Sequence, residues 1–185
     1  MSMQLDKVQP KNRMQLEQLI DYAFKHNIYD LNFIDTSKIT DMSNLFANCE
    51  YNIDVSNWDV SNVTNMYNMF YFCKNFDCDL SNWNVSNVTD MYSMFITCEN
   101  FKGKGLENWD VSKVKDIGSM FAGCENFNCD LSNWDMSNVT DMGYAFIDCE
   151  KFKGKGLENW NVINVTSMRH MFDGCNKLTI PDWYK

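Results

Sequence analysis

The sequence predicts an α/β solenoid, a stack of short coils each running strand, turn, helix and return loop. Three observations carry that expectation. Tryptophans recur at Trp58, Trp83, Trp109, Trp134, Trp160 and Trp183, at intervals of 25, 26, 25, 26 and 23 residues. A period in the twenties held along a chain marks a repeat architecture. Cysteines keep the same beat: Cys49, Cys73, Cys98, Cys124, Cys149 and Cys175 each follow a phenylalanine by three residues. Within each repeat, the spacing of apolar residues changes from alternate to roughly helical. A unit this small cannot bury its own apolar face, so neighbours must stack.

The strand is read from Trp83 and Val85, which alternate with polar residues in residues 81–98, SNWNVSNVTDMYSMFITC. Alternation of this kind predicts a short strand with one buried face. The same phase gives Trp58/Val60, Trp109/Val111, Trp134/Met136 and Trp160/Val162. The helix is read from Met91, Met94, Phe95 and Cys98, which fall at i, i+3, i+4 and i+7, one face of a helix. Met66/Met69/Phe70/Cys73 and three later sets keep this spacing. Asn65, Asp90, Asp116, Asp141 and Ser167 stand just before these segments and are residue types that cap helix N-termini.

The return loop has two forms. One reads NFDCDLSNW or NFNCDLSNW and the other FKGKGLENW, one residue longer, and they alternate. The deeper period is therefore 51 residues. Residues 73–123 match 124–174 at about two-thirds of positions, as a duplicated two-coil unit would. Residues 11–26 place Met14, Leu16, Leu19, Ile20, Ala23 and Phe24 at helical spacing after Pro10. The organisation expected is residues 1–30 as an N-terminal capping helix and lead-in. Residues 31–185 then form one continuous domain of about six coils, the last incomplete, because terminal repeats must cap the stack.

The frame F-x-x-C followed by W-x-V-S-x-V-T-x-M-x-x-M-F is carried most plainly by residues 58–66, WDVSNVTNM, and the Phe70/Cys73 pair after them. It resembles the BspA-like leucine-rich-repeat proteins, in the subgroup with WDVSNVTDM repeats, over about residues 31–183. The resemblance implies a right-handed leucine-rich-repeat-type solenoid with short parallel strands on one face and short helices on the other. It also implies adhesion or host contact at a bacterial surface, the role attributed to many relatives. Only scaffold positions match the frame, so no functional site transfers with it.

Composition narrows the function classes. A net charge of −9 with 45% hydrophobic residues argues for a packed acidic protein and against nonspecific nucleic-acid or anionic-membrane binding, which select cationic surfaces. No apolar run approaches the roughly 20 residues of a membrane span, and the polar N-terminus lacks the apolar core of a secretory signal. Localisation is therefore left open, cytoplasmic by default and cell-surface by resemblance. His26 and His170 are far apart and the serines sit in repeat turns, so catalysis is not expected; an enzyme needs one convergent site.

The tryptophans and methionines share the phase of buried valines and are expected in the core rather than in a stacking platform. The cysteines are expected as buried free thiols, since in-register side chains run parallel, and zinc is disfavoured because no close C-x-x-C pair exists. Asn57, Asn62 and their equivalents are expected to bond the backbone of adjacent coils. One row points outward: Asp59, Asn84, Asp110, Asp135 and Asn161, between the buried Trp and Val of each strand, is the candidate binding face. It would contact a basic partner, hold calcium, or simply be solvated. Lys102, Lys104, Lys153 and Lys155 form a separate basic patch. The expected function is a non-catalytic protein-interaction or adhesion scaffold, a monomer needing no cofactor or metal. The alternatives are a ligand-free structural protein, or a binder of repetitive polysaccharide or ice through Thr64, Thr89, Thr140 and Thr166, a row that Lys115 interrupts.

Overall fold

The computed structural model describes residues 6–184. Its N-terminal element matches the expectation. Helix α1, Arg13–Lys25, opens on Asn12, whose side chain accepts the Gln15 N–H, and buries Leu16, Ile20 and Ala23. Asn12 satisfies one of the amides a first turn leaves orphaned. The Arg13 guanidinium ties the helix to the first coil through Asp41, at 3.3 Å, and Ser43. The expected lead-in at residues 1–5 lies outside the described residues.

Beyond α1 the expected α/β architecture is overturned. Among the described residues there is no parallel sheet, and no helix follows Met66, Met91, Ile117, Met142 or Met168. Apart from α1, the helical segments are two short 3-10 turns, Leu106–Asn108 and Leu157–Asn159. Extended pairing among the described residues is limited to isolated parallel bridges: Val8 with Ile34, Asp30 with Asp54, and one per coil along Asp41, Asn65, Asp90, Asp116, Asp141 and Ser167. The chain is thus not the strand-and-helix solenoid that the resemblance to leucine-rich repeats implied.

Each coil is instead a succession of tight turns. In residues 54–76, N–H to C=O bonds of i+3 to i type run from Trp58 to Val55, Val63 to Val60, Met69 to Met66, Cys73 to Phe70 and Phe76 to Cys73. Every residue that opens or closes one of these turns is apolar and buried. The i, i+3 spacing read as a helix face is therefore the spacing of turn corners. The Trp58/Val60 alternation has a similar origin. It spans the end of one turn and the start of the next, with Asp59 outside, and is too short to build a strand.

Two physical facts exclude a helix in residues 66–73. Met66, Asn68, Phe70 and Phe72 donate their amides to the next coil, at Asp90, Tyr92, Met94 and Ile96 O, over 2.8–3.0 Å. These groups are not available for the i to i−4 bonds of an α-helix. Asn68 and Phe72 also hold φ of 54° and 58°, as the third residue of a type II turn requires. The pattern repeats from Met91, Ile117 and Met142 onward. Positive φ recurs at Asn44, Ser93, Ser119, Tyr144 and His170 in one column, and at Asn48, Thr97, Gly123, Asp148 and Gly174 in the other.

Elsewhere, side chains join the coils. Trp83 Nε1 donates to Val55 O at 3.0 Å, and Trp58, Trp109, Trp134, Trp160 and Trp183 reach back in the same way. Trp83 stacks on Trp109, and Trp134 on Trp160, with centroids 6.3 and 6.4 Å apart. Asn62, Asn87, Asn138 and Asn164 donate to a serine carbonyl one coil back over 2.7–2.9 Å. Cys73, Cys98, Cys124, Cys149 and Cys175 direct Sγ to the phenylalanine carbonyl of the preceding coil. All eight cysteines are unbridged, six of them buried. Burial pushes the Cys73 thiol up to about 12 and the Cys98 and Cys149 thiols well above their ordinary value.

Two outcomes follow from this packing. Thr97, a β-branched residue at φ 57°, occupies a conformation that costs such residues roughly 1–2 kcal/mol. Thr97→Gly should raise the denaturation midpoint, and Gly123→Ala, in the same column, should lower stability by about 1 kcal/mol. Urea titration of both variants checks the pair. Folded protein at mildly alkaline pH should leave Cys73, Cys98, Cys124 and Cys149 unreactive to a thiol reagent, whereas denatured, unreduced protein should titrate for all eight. A lower denatured count would reveal disulfides.

Candidate interaction surface

The coil frame fixes what the expected binding face can do. Asp59, Asn84, Asp110, Asp135 and Asn161 occupy one corner of successive coils, and all are exposed. Each folds its side-chain oxygen onto the amide two residues on: Ser61 N to Asp59 at 3.0 Å, Ser86 N to Asn84 at 3.2 Å, Ser112 N to Asp110 at 3.0 Å, Ser137 N to Asp135 at 3.0 Å and Ile163 N to Asn161 at 3.3 Å. This is the local bonding by which Asp and Asn specify turns. One oxygen of each is therefore structural. The hydroxyl and backbone N–H of Ser112 hold the Asp110 carboxyl below its ordinary range.

Four of the expected helix caps, Asn65, Asp90, Asp116 and Asp141, do a related job without a helix, and Asp41 joins their row. Asp41, Asn65, Asp90, Asp116 and Asp141 accept the amides of Ser43, Tyr67, Tyr92, Gly118 and Gly143 over 2.7–2.9 Å. Here three carboxylates stand on consecutive coils. Burial first, and then the charges of Asp141 and Asp90, raise Asp116 above the usual carboxylate range.

Three of the four lysines in the KGKG loops pair with carboxylates. Lys104 pairs with Asp79 and Lys155 with Asp130, each at 2.6 Å, and Lys102 pairs with Asp77. Lys104 and then Ser81 draw Asp79 down to about 2, and Lys155 and Ser132 do the same to Asp130. Lys153 pairs with no carboxylate among the described residues. Its counterpart to Asp77 is Asn128, whose Oδ1 accepts the Lys153 N–H at 3.1 Å.

The threonine row is also committed internally. Thr64, Thr89, Thr140 and Thr166 donate their hydroxyls to the carbonyl one coil back over 3.0–3.3 Å. Aromatic side chains, by contrast, are displayed. Tyr67 and Tyr92 stack with centroids 5.6 Å apart at 9°, and Phe72 is 38% exposed. Further along, Tyr144 stacks on His170 and carries the Arg169 guanidinium 5.0 Å from its ring centroid. Sequence reading missed this group because the positions vary: the Tyr67/Tyr92 row continues as Gly118, Gly143 and Arg169. Among the described residues, no three His, Cys, Asp or Glu side chains are grouped to hold a metal ion, and no helix is long and apolar enough to cross a membrane.

One family matches this repeat frame twice, over residues 14–105 and 96–183; it is DUF285, described as a Mycoplasma protein of unknown function. The chain belongs to the DUF285 family. No curated protein and no solved structure matches it. Together the two matches run from within α1 to Trp183.

The raised Asp116 carboxyl gives a signed prediction. A carboxyl raised above its ordinary 3.8 destabilises the folded state while ionised, and the penalty disappears as pH falls through its elevated pKa. Asp116→Asn keeps the amide acceptor, as Asn65 does. The variant should be more stable near neutral pH by about 0.5 kcal/mol, the scale of a like-charge pair on adjacent strands. That advantage should vanish below pH 3.8 in parallel denaturation series.

Proposed function

We propose that this DUF285 chain is a non-catalytic scaffold that binds a protein partner through side chains displayed on successive coils. The observation that carries the reading is the exposed stack of Tyr67 and Tyr92 on adjacent coils, with the exposed Phe72 on the same coil as Tyr67. Exposed aromatic clusters supply much of the binding energy at protein interfaces. The resemblance to the BspA-like proteins supports a partner met in adhesion or at a host surface. The free oxygens of Asp59, Asp110 and Asp135 offer a second contact to a basic partner.

Binding of a repetitive polysaccharide or ice is the weaker reading, because the threonine hydroxyls it would use already bond carbonyls of the preceding coil.

Protein-coated beads on host cells test the proposal. Adhesion should fall at least tenfold for Tyr67→Ser/Phe72→Ser/Tyr92→Ser and after the cells are treated with protease. A triple Asp→Asn variant at Asp59, Asp110 and Asp135, which preserves the turns, reports on the acidic row. Adhesion that survives protease but is lost to glycosidase would overturn a protein partner in favour of a glycan.

A further inference from the structure

The C-terminal half carries a shallow groove of about 530 Å³ lined by Lys102, Asn126, Asn128, Lys151, Lys153 and Lys177. Four lysines in one concavity stand out in a chain of net charge −9. We propose that this groove binds a small ligand through a tetrahedral oxyanion, a phosphate or sulfate group held between Lys151, Lys153 and Lys177. It is a different surface from the aromatic group and does not depend on that reading.

The register places the three ammonium groups together. Lys151 and Lys153 flank the buried Phe152, so both point outward from one coil, and Lys177 holds the position of Lys151 one coil on. All three line the one groove, where flexible lysine side chains can converge on a single oxyanion. No carboxylate pairs with any of them among the described residues, whereas Lys102, Lys104 and Lys155 each have one. Lys151 Nζ is steadied by Asn126 Oδ1, and Asn126 Nδ2 by Glu99 O at 2.8 Å. Asn128 accepts the Lys153 N–H through Oδ1, which leaves its Nδ2 as a donor to the groove.

The duplication supplies an internal comparison. One 51-residue unit earlier, the places of Asn128, Lys151 and Lys177 are held by Asp77, Asn100 and Asn126. Each difference makes the later groove more positive, and the Asp77/Asn128 exchange removes the one partner that neutralises Lys102 in the earlier copy. Lysines are point-charge donors to phosphate, and an unpaired cluster in a concave site focuses its field on an anion.

Calorimetric titration of the full chain with inorganic phosphate, and separately with inorganic sulfate, at fixed ionic strength tests the proposal. Saturable binding of at least one is expected, and the tighter of the two identifies the ester class of the ligand. Lys151→Gln/Lys153→Gln should weaken binding at least tenfold. Lys104→Gln/Lys155→Gln changes net charge equally but removes lysines paired elsewhere, and should leave affinity within about twofold. Asn128→Asp, which restores a partner for Lys153, should weaken binding several-fold with every lysine retained. Absence of saturable binding to either anion, or equal weakening by both lysine pairs, overturns it.

Discussion

The structure depends on backbone amides that leave their own coil. In the stretch from Met66 to Phe72, every second N–H donates to a carbonyl of the next coil, and the same set recurs from Met91, Ile117 and Met142. Once those amides are committed, the residues between them must turn without helical bonds, so i+3 to i closures and left-handed residues follow. Apolar residues at the corners then point inward, where they form one continuous core with the buried face of α1. Around the Asp59 corner, the indoles and asparagine amides supply bonds between coils. The ladders of Trp and Asn stand in for backbone bonds there, whereas the Thr and Cys ladders reinforce stretches where backbone amides already join the coils.

Much of this was legible in the sequence, though not as the right elements. Burial of Trp83 and Phe95, the thiol ladder, the inter-coil asparagines and α1 all follow from phase, because phase fixes which way a residue points whatever the backbone does. Element type does not follow from phase. Met66, Met69, Phe70 and Cys73 satisfy a helix face and a pair of successive turns equally well, since both put inward residues three apart. The discriminating signal lay in the residues between. Asn44 and Asn68 in one column, and Gly123 and Gly174 in the other, are types that tolerate positive φ. They would be an odd choice on the exposed side of a helix.

The candidate surface divides along similar lines. The exposure of Asp59, Asp110 and Asp135 was readable from alternation, but their bond to the amide two residues on was not, because an acidic residue outside a buried neighbour looks the same whether or not it closes a turn. Most of the regular surface proves to be frame: Asp and Asn hold turns, and Thr and Asn hold neighbouring coils. What distinguishes one coil from the next is therefore concentrated at irregular positions, such as the Tyr67–Arg169 row and the Lys151–Lys177 edge.

The alternation of loops constrains how such a chain changes length. Lys104 O accepts the Leu80 amide and Lys155 O the Leu131 amide, so each KGKG loop is docked on a DCDL loop of the coil before it. Gly105 and Gly156 approach so closely that a Cβ there would stand 2.2 Å from Ser81 N and Ser132 N. Two KGKG loops in succession would lose this docking, because Glu107 and Glu158 hold the place of Ser81 and Ser132 in them. Gain or loss of chain in whole 51-residue steps keeps every KGKG loop on a DCDL partner, whereas a single-coil step can set two KGKG loops side by side.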